Sequence, residues 1–580
     1  MNPLVSDADT LAATPGVSIE ITKVFRLSEL PFIGDFALGT SQMSYSDPNL
    51  RGLIPLALPI GAEIAAETAV LVAPNRSVVR IEDLISRRMV SFEKGELKLF
   101  VRAERVASGN ASETAVKVQF RDDSPNSAYT WPIMEATVVL AESVPPAVPV
   151  SLEPLSRPRN VHWSGRDVYP SRLCCGRRLR GVQFVEAWSE SGLDYEVAVP
   201  PFAGNVAFTR FPIWAVNPLL LEIVSSGFAL WRSHERFAGA FSFPFRLRRL
   251  SMRWLELKEG ARLKCYMRLT GVTPKSHVCD VSVTDGNGKE LMEVSGWEEL
   301  TERVPVEYRD LVLQPATSFL TAPLGGDLLG EPATDVSSAF VTDVPYALFE
   351  RDDERWLKTL SHVILDASER RDFAEMPGSV ARRTEWLFGR VAAKEAVRRY
   401  LKDYYQARWS DADIRIWADG SGKPHALGAW NDHLTTKLDI AIAHTAQFVV
   451  AVVAANAHVG VDVESVQRDL SEEFASGVFT PEELEIAAGA ADASRALIRF
   501  WCAKEAVSKA LGTGIRYSPK EMRVANFMAD TGAVEVRLEG AWADAFKVFR
   551  GRAIDVTVRI VRDHALASCF IPATLFDDES

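Results

Sequence analysis

The chain has 580 residues, of which 47% are hydrophobic and 24% charged, so it is long enough for several packed domains and is neither disordered nor fibrous. Its net charge of −12 argues against a general nucleic-acid-binding surface. Six cysteines are too few for a disulfide scaffold, which favours reduced thiols and a cytoplasmic location. The most apolar stretch, 54–74, contains Glu63, Glu67 and prolines, so we expect no membrane span.

Two stretches rich in proline and small residues divide the chain. Residues 143–159 contain five prolines, and residues 314–345 are rich in alanine, threonine, proline and glycine. Because such segments favour extended backbone, we predict linkers there. The parts between them are 1–142, 160–313 and 346–580.

The first two parts share one layout. Each contains an apolar helix candidate, at 59–72 and at 218–231, followed by strand-like runs. In the second part, Asp-Gly-Asn-Gly at 285–288 is typical of a hairpin turn. The repeated layout indicates an internal duplication.

Three short segments resemble motifs of the double hot-dog dehydratase domains of polyketide and fatty-acid synthases. Residues 31–35 are similar to a PF-x-x-DH segment, 53–55 to the segment that follows it, and 217–222 to an HP-x-x-x-D run. The resemblance spans about 20–310, and it implies two degenerate hot dogs, 1–142 and 160–313.

The resemblance also implies that the dehydratase chemistry is incomplete. Phe36 stands where the family has its catalytic histidine, and the first histidine of the chain is His162. Glu222 stands at the family's aspartate position. It is either an acid in an apolar pocket with a raised pKa or a surface glutamate, and the missing base favours the second interpretation.

In the last third, the segment 501–514 places a carboxylate and an amine on one helical face. Glu505 and Lys509 are four residues apart, with Lys504 beside them. This pair suits a divalent cation bridged to a phosphate. A Glu–Lys pair on a solvated helix has the same spacing, so the pattern alone leaves both interpretations open.

The run Gly-Val-Asp-Val-Glu at 460–464 follows a strand-like segment. Because residues two apart on a strand face the same way, Asp462 and Glu464 project together. Two carboxylates on one face are suitable ligands for Mg²⁺. The alternative is the polar face of a half-buried strand, although two acids in register repel each other without a cation.

Two shorter motifs precede this run. A strand at 439–445 ends in His444 and Thr445, whose side chains suit contact with a phosphate. A Gly-Ser-Gly-Lys-Pro turn presents Lys423 and Pro424. By themselves, a lone histidine is more often structural and a turn lysine is more often solvated.

Together these four segments resemble, in order, the signature of Sfp-type 4'-phosphopantetheinyl transferases: G-K-P, S-x-S-H-[ST], G-[VI]-D-x-E and W-x-x-K-E-[AS]-x-x-K-x-x-G-x-G. The resemblance covers about 346–575. Its clear departure lies at Ala441 and Ala443, where small hydroxyl residues are common in the family.

The resemblance implies a role for each motif residue. Asp462, Glu464 and Glu505 hold Mg²⁺ against the pyrophosphate of coenzyme A. Lys504 and Lys509 contact the phosphates, with Glu505 and Lys509 acting in catalysis.

The same resemblance extends to the nucleotide and to the base. It implies that His444 and Thr445 face the 3'-phosphate and that Lys423 and Pro424 form part of the nucleotide pocket. Residues 479–483 resemble an F-x-x-x-E element in which Glu483 is the candidate general base. The alternative for Glu483 is a carboxylate at a helix N-terminus.

A basic segment completes the pattern. Arg383, Arg390, Lys394 and Arg398 are spaced to share one helical face, and residues 386–390 resemble the first motif of the same transferases. Such a stripe suits a nucleotide or an acidic carrier protein. The alternative is a solvated charged face.

We therefore predict an α+β protein with an N-terminal double hot-dog and a pseudo-symmetric two-lobed transferase, its lobes at about 346–455 and 456–575. The predicted activity is the Mg²⁺-dependent transfer of the phosphopantetheine arm of coenzyme A to a serine of an acyl or peptidyl carrier protein, releasing 3',5'-ADP. We expect it to serve a polyketide or polyunsaturated fatty acid synthase. The alternative is a dehydratase-like or acyl-binding synthase component with an accessory transferase.

Overall fold

The structure is a computed structural model in which the chain forms two compact units. Unit 1 consists of residues 1–41 and 51–313, and unit 2 of residues 42–50 and 314–580. None of the helices in the described residues has both the length and the apolar character needed to cross a membrane. The described residues are 3–39, 42–122, 131–169, 172–173, 175–233, 240–253, 257–330, 332, 334–342, 344–350 and 354–577.

Unit 1 is built on one 14-stranded antiparallel sheet. Its first half has the strand order β1-β2-β4-β5-β6-β3 and wraps around one helix. Its elements are β1 (Asp9–Thr14), β2 (Ser18–Arg26), α1 (Leu58–Val72), β3 (Ser77–Ser86), β4 (Glu96–Val106), β5 (Glu113–Asp122) and β6 (Met134–Ala141).

The second half continues the sheet through pairing of β3 with β11, in the order β11-β14-β13-β12-β10-β9-β8, and wraps around α3. Its strands are β7 (Val148–Pro149), β8 (Arg159–Ser164), β9 (Val182–Ser189), β10 (Gly192–Ala198), β11 (Ala240–Met252), β12 (Arg262–Val272), β13 (Ser276–Thr284) and β14 (Lys289–Arg303). Its helices are α2 (Gly165–Val168), α3 (Pro218–Arg232) and α4 (Val306–Leu313). Two sheet halves, each around its own helix, form the predicted double hot-dog. The predicted linker 143–159 contains β7, which pairs with β14.

The central helix α1 contains two buried acids. Glu63 accepts hydrogen bonds from the backbone N–H groups of residues 215–217 at 2.7–3.0 Å, and Glu67 from those of Leu4 and Val5 at 2.8 and 2.9 Å. Burial raises the pKa of both carboxyls, that of Glu63 to about 7. The two acids thus fix the segment before α3 and the start of the chain to α1.

The first lobe of unit 2 packs one long helix, α9, on a sheet of order β15-β19-β18. Its helices are α5 (Gly326–Leu329), α6 (Tyr346–Phe349), α7 (Arg355–Ile364), α8 (Ala367–Glu375) and α9 (Val380–Tyr405). Its strands are β15 (Val336–Thr342), β16 (Arg415–Ala418), β17 (Pro424–Leu427), β18 (Leu438–His444) and β19 (Phe448–Ala455), with β16 and β17 forming a separate hairpin.

The second lobe repeats this plan with α12 on a sheet of order β20-β24-β23-β22-β21. The sheets change at Asn456, whose φ of 55° makes the turn. The helices are α10 (Glu472–Val478), α11 (Pro481–Ala488), α12 (Ala493–Ala510), α13 (Gly540–Ala545) and α14 (Thr574–Asp577). The strands are β20 (Ala457–Ser465), β21 (Met522–Met528), β22 (Ala533–Leu538), β23 (Ala553–Val561) and β24 (His564–Pro572). A helix on an antiparallel sheet, twice, gives the pseudo-symmetric two-lobed fold that the sequence predicts.

Residues 314–345, for which the sequence predicts a linker, are instead part of unit 2. The strand β15 lies within them and pairs along its whole length with β19. The backbone N–H groups of Leu320 and Thr321 also donate to Glu395 of α9 at 2.7 and 2.8 Å. Proline and small residues here serve tight packing rather than extension.

A short segment from the N-terminal part of the sequence, 42–50, also belongs to unit 2. The carboxylate of Asp413 accepts hydrogen bonds from the hydroxyls of Ser44 and Ser46 at 2.6 and 2.7 Å and from the N–H groups of Tyr45 and Ser46 at 2.9 Å. Asp413 is itself buried. One carboxylate therefore holds the whole segment in place.

We expect Asp413→Ala to lower the free energy of unfolding of unit 2 by about 2 kcal/mol, because the buried Ser44 hydroxyl and the buried N–H of Ser410 lose their acceptor. Urea unfolding checks this, and limited proteolysis of 42–50 should become faster. Asp432→Ala, at an exposed acid of the same lobe, is the control. Equal stability of the two variants would contradict the anchoring role.

Candidate active site

Three acids come from two elements of lobe 2 that pack directly on each other. Asp462 and Glu464 lie two residues apart on β20, and Glu505 lies on α12 above it. Gly460 allows this packing, because a Cβ there would lie 1.8 Å from the carbonyl oxygen of Ala506. A larger residue would push α12 away and separate the acids.

Asp462 is the buried member of the three. Its Oδ1 accepts a hydrogen bond from Nζ of Lys509 at 2.8 Å, while Oδ2 is buried and receives no nitrogen or oxygen donor from the described residues. The other donor that Asp462 meets is the thiol of Cys502, which is a weak one, so this buried carboxylate is costly unless positive charge compensates it. The site therefore favours an additional cation.

The charges of the three acids oppose one another. Burial raises the pKa of Glu505, and the negative charge of Asp462 raises it further, against the effect of Lys509. Burial also raises the pKa of Glu464, with Arg468 opposing and Asp462 adding. Three neighbouring carboxylates thus lie in a partly buried site where Lys509 and Arg468 are the cations that oppose their charge.

The chemistry of this set suits Mg²⁺, which prefers carboxylate oxygens together with water and phosphate. In this structure, Lys509 forms an ion pair with Asp462, and Arg468 forms one with Glu464. Within the described ranges, no three His, Cys, Asp or Glu side chains are already spaced as metal ligands. The acids fit a divalent cation by donor type and charge, and coordination would require the two basic side chains to move.

A groove of about 200 Å³ lies in lobe 1. Of the predicted site residues, Arg390, Pro424 and His444 line it, together with the indoles of Trp386 and Trp417. The Arg390 guanidinium lies 4.3 Å from the centre of the Trp386 ring. Aromatic walls with an arginine and a histidine suit a planar, anionic ligand.

Lys423 lies between the two lobes of unit 2 rather than in open solvent. Its Nζ donates to Asp439 Oδ2 at 2.7 Å and to the carbonyl oxygen of Lys509 at 3.4 Å. Asp439 also accepts from the N–H of Val459 at 2.7 Å. Lys423 therefore links the β17 turn to the end of α12, close to the acid cluster.

The predicted basic stripe does not form, because α9 is covered by other elements. Lys394 is buried and donates to the carbonyl oxygen of Ile364 at 2.8 Å and to Glu369. Arg398 is buried against Asp411 at 2.7 Å. These two cations stabilise the lobe from inside, which excludes ligand contact in this structure.

Lys504 and Glu483 are likewise buried, which does not fit their predicted roles. Lys504 Nζ donates to Glu483 and to the carbonyl oxygens of Val478 and Pro519 at 2.9–3.0 Å. Glu483 also accepts from the N–H groups of Thr480 and of residue 524, both at 2.7 Å. A carboxylate with every oxygen engaged and no exposed surface is not placed as a general base.

Two further predicted residues, Arg383 and Thr445, do not line the groove of lobe 1. Arg383 pairs with Glu354 near the start of α9. The Thr445 hydroxyl accepts from the N–H of Phe448 at 3.2 Å and lies 3.2 Å from Nε2 of His564, so it stabilises the turn after β18. The neighbouring His444 is exposed to solvent.

The sequence analysis missed Arg468, Trp417 and Asp439. Arg468 is four residues after Glu464, a spacing that lets a turn bring the two together, and this signal was available in the sequence. Trp417 is a single residue on a four-residue strand without a motif, and Asp439 lies at the start of the 439–445 motif, where only His444 and Thr445 were assigned a role. Only the tertiary structure places them at the groove and at Lys423.

In unit 1, the position of the missing histidine is filled by apolar and paired groups. Phe36 is buried against Phe32, and the neighbouring Asp35 forms an ion pair with Arg178 at 2.6 Å. The first hot dog itself contains no histidine, since the first one in the sequence is His162. This agrees with the interpretation that the first hot dog lacks its catalytic base.

Glu222 is half-buried, so it lies between the two interpretations that the sequence leaves open. It lies on α3, where burial and the neighbouring Glu299 raise its pKa to about 7. His277 pairs in register with Glu299, but its ring packs on Phe228 and Trp231, about two turns farther along α3. Glu222 could thus still donate a proton, but the first hot dog has Phe36 where the family has the histidine that removes one.

We expect the full chain not to dehydrate a 3-hydroxyacyl thioester, because Phe36 cannot accept a proton. Mass spectrometry of the thioester after prolonged incubation checks this. Turnover by the wild-type chain that Glu222→Gln abolishes would contradict the expectation and reveal another base.

Two family models match the chain. Residues 458–569 match the 4'-phosphopantetheinyl transferase superfamily, and residues 147–299 match the polyketide synthase dehydratase N-terminal domain. The first match covers lobe 2 with the three acids, and the second covers most of the second hot dog. Both predicted resemblances are confirmed.

Curated relatives agree with the first match. A holo-[acyl-carrier-protein] synthase of Cereibacter sphaeroides (strain ATCC 17029 / ATH 2.4.9) is 37% identical over 123 residues, which is 20% of this chain and 88% of that protein. One of Methylobacterium sp. (strain 4-46) is 33% identical over 126 residues, 20% of this chain and 92% of that protein. The chain belongs to the 4'-phosphopantetheinyl transferase superfamily.

Solved structures similar to the chain include dehydratase domains of a polyketide synthase. That of the CurF module of curacin synthase has a TM-score of 0.39 at 11% identity and covers 52% of this chain and 99% of its own. That of the CurK module has a TM-score of 0.38 at 13% identity, with 53% and 100% covered.

Proposed function

We propose that the chain transfers the 4'-phosphopantetheine arm of coenzyme A to a serine of an acyl carrier protein and releases 3',5'-ADP. The observation that carries this is the cluster of Asp462, Glu464 and Glu505, which lies in the lobe matched by the transferase family. The relatives of that lobe are holo-[acyl-carrier-protein] synthases, which supports a carrier protein as the acceptor.

The transfer needs a base, a cation for the phosphates and a held nucleotide. The serine oxygen forms a bond to the β-phosphorus, the bond from that phosphorus to the bridging oxygen breaks, and the oxygen leaves with 3',5'-ADP. Glu505 takes the serine proton, because it is the half-buried carboxylate on α12 beside Asp462 and Lys509 and is reachable by a substrate hydroxyl. We assign the role of general base to Glu505 rather than to the predicted Glu483, because Glu483 is fully buried.

Lys509 contacts the phosphates after leaving Asp462, since its partly exposed side chain allows it to swing. Asp462, Glu464 and Glu505 would hold Mg²⁺. When bound, the ion supplies positive charge that stabilises the pyrophosphate and the leaving oxygen.

The groove of lobe 1 binds the nucleotide end of coenzyme A. The indoles of Trp386 and Trp417 provide apolar walls for the base, Arg390 supplies positive charge for the 3'-phosphate, and the His444 ring offers it a hydrogen-bond donor. Pro424 shapes the floor of the groove. Of the predicted cofactor-binding residues, Arg390, Pro424 and His444 are the ones that line this groove.

The dehydratase match over 147–299 supports a role in a polyketide or polyunsaturated fatty acid synthase. An enzyme that makes holo carrier proteins would then be joined to a module of the synthase that uses them. The alternative, an acyl-binding component with an accessory transferase, is supported by Glu222, whose pKa is raised to about 7 in a double hot dog whose first half contains no histidine.

Mass spectrometry of an apo acyl carrier protein tests the proposal. After incubation with the full chain, coenzyme A and Mg²⁺, we expect a phosphopantetheine adduct on one serine, and none after chelation of the metal. A carrier with that serine replaced by alanine is the control. No adduct with carriers of either fatty acid or polyketide synthases would contradict the proposed function.

A further inference from the structure

Two neighbouring segments of unit 1 are strongly basic in a chain whose net charge is −12. Residues 172–183 and 203–217 contain five arginines and no aspartate or glutamate. Of these arginines, Arg177, Arg180 and Arg210 are exposed. None of the three forms an ion pair with any residue that the structure describes. Their charge is therefore available to a partner.

The second of these segments, 203–217, also exposes a concentrated apolar surface. The exposed fractions of Phe208, Phe211 and Ile213 are 49%, 67% and 64%. A tight turn closed by the pairing of Val206 with Thr209 presents Phe208 at its tip. Single exposed hydrophobic residues are ordinary, but three within six positions indicate an interaction surface.

The loop that carries these side chains is held in place by hydrogen bonds to neighbouring segments of unit 1. Arg178 donates to the carbonyl oxygen of Gly204 at 3.2 Å and to Asp35 at 2.6 Å, and the N–H of Ala207 donates to the carbonyl oxygen of Glu29 at 2.8 Å. The loop thus binds a partner without first having to be ordered, which lowers the entropic cost of binding.

We propose that Arg177, Arg180, Arg210, Phe208, Phe211 and Ile213, here named the arginine–aromatic surface, dock the acidic face of an acyl carrier protein. This rests on the proposed function, which makes a carrier protein the acceptor. Arginines around exposed aromatics are the composition of protein-binding sites, and acidic side chains of the carrier would pair with them. A second copy of the chain would present the same positive charge, so self-association through this surface is disfavoured.

Docking on unit 1 would act on the transferase through the shared chain. A carrier held by the same molecule has a raised effective concentration at the acid cluster of unit 2. The surface therefore lowers the KM for the carrier and leaves the chemical step unchanged. It also gives the dehydratase-like unit a use that does not need its missing base.

Two double variants of the full chain test this. Arg177→Glu with Arg180→Glu reverses the charge, and Phe211→Ala with Ile213→Ala removes apolar area, all at exposed positions where folding should be unaffected. We expect each to raise the KM for the carrier about tenfold, with kcat and the KM for coenzyme A within about twofold of wild type. Arg105→Glu with Val272→Ala, at an exposed arginine and an exposed valine outside the surface, should change neither.

Direct binding separates this proposal from the proposed function. The probe is a fluorescently labelled carrier whose acceptor serine is replaced by alanine, measured by anisotropy at low and high salt. Binding that is weakened by both variants and by salt supports docking, even if the wild-type chain transfers nothing. Wild-type binding and KM in both variants would overturn docking and leave the transferase intact. A change of sedimentation alone, with carrier binding unchanged, would overturn it in favour of self-association.

Discussion

Replacing Asp462 with alanine is expected to lower kcat/KM for carrier modification by on the order of a thousandfold, with the fold intact. Asp462 is buried, its Oδ2 receives no nitrogen or oxygen donor from the described part of the chain, and its charge raises the pKa of Glu505 across the β20–α12 contact. Its removal deletes one ligand for the cation and one partner of Lys509. Folding should survive, because Lys509 is partly exposed and water can solvate it.

Glu505→Ala should have an effect of similar size, and Asp469→Ala should have none. Asp469 is an exposed acid seven residues after Asp462, so it controls for the loss of a negative charge near the site. Steady-state rates at several Mg²⁺ concentrations, with calorimetric titration of Mn²⁺ into each variant, measure catalysis and metal binding separately.

Normal transfer in both site variants would contradict the assignment of the acids to a cation. Normal metal affinity together with lost transfer would instead indicate that the metal binds elsewhere and that Glu505 acts only as the base. These two results are distinguishable because metal binding is read without turnover.

The acids could be predicted from the sequence because backbone periodicity determines their directions. Residues two apart on a strand share a face, so Asp462 and Glu464 had to project together. Glu505 and Lys509 share a helical face for a similar reason. The family resemblance then placed the strand next to the helix, and Gly460 shows how closely they approach.

Periodicity predicts which residues share a face, but not what covers that face. Lys394 and Lys504 have the spacing of ligand-binding lysines, yet α8 and α11 bring Glu369 and Glu483 onto them. Glu63 is a further example: a glutamate is expected at the surface, but this one is fully buried in the core of unit 1. Buried charges of this kind depend on partners far away in the chain.

The fold was predictable where hydrophobic patterns are long. Both hot-dog helices were placed to within one residue at each end, since apolar runs followed by turns are strong local signals. β15 was missed because its two serines and one alanine, in a segment rich in proline and glycine, resemble a linker. The segment 42–50 was missed because its anchor, Asp413, lies 368 residues away from Tyr45.

The buried ion pair of Lys504 and Glu483 is expected to contribute strongly to the stability of unit 2. Replacing either with alanine is expected to lower the free energy of unfolding of unit 2 by about 3–5 kcal/mol, because the remaining charge stays buried without its partner. Urea unfolding measures this. Arg495→Ala, which breaks an exposed ion pair on the same helix, should cost less than about 1 kcal/mol.

The double variant Lys504→Met with Glu483→Leu separates a structural role from a catalytic one. Removing both charges together leaves no uncompensated ion, so much of the lost stability should return. Adjacent helical residues point about 100° apart, so Lys504 faces α11 while Glu505 faces β20, and the acid cluster is left unaltered. The folded double variant should therefore keep transfer within about tenfold of wild type. If it folds as stably as expected and transfers nothing, Lys504 or Glu483 takes part in the reaction through a conformation in which the pair opens.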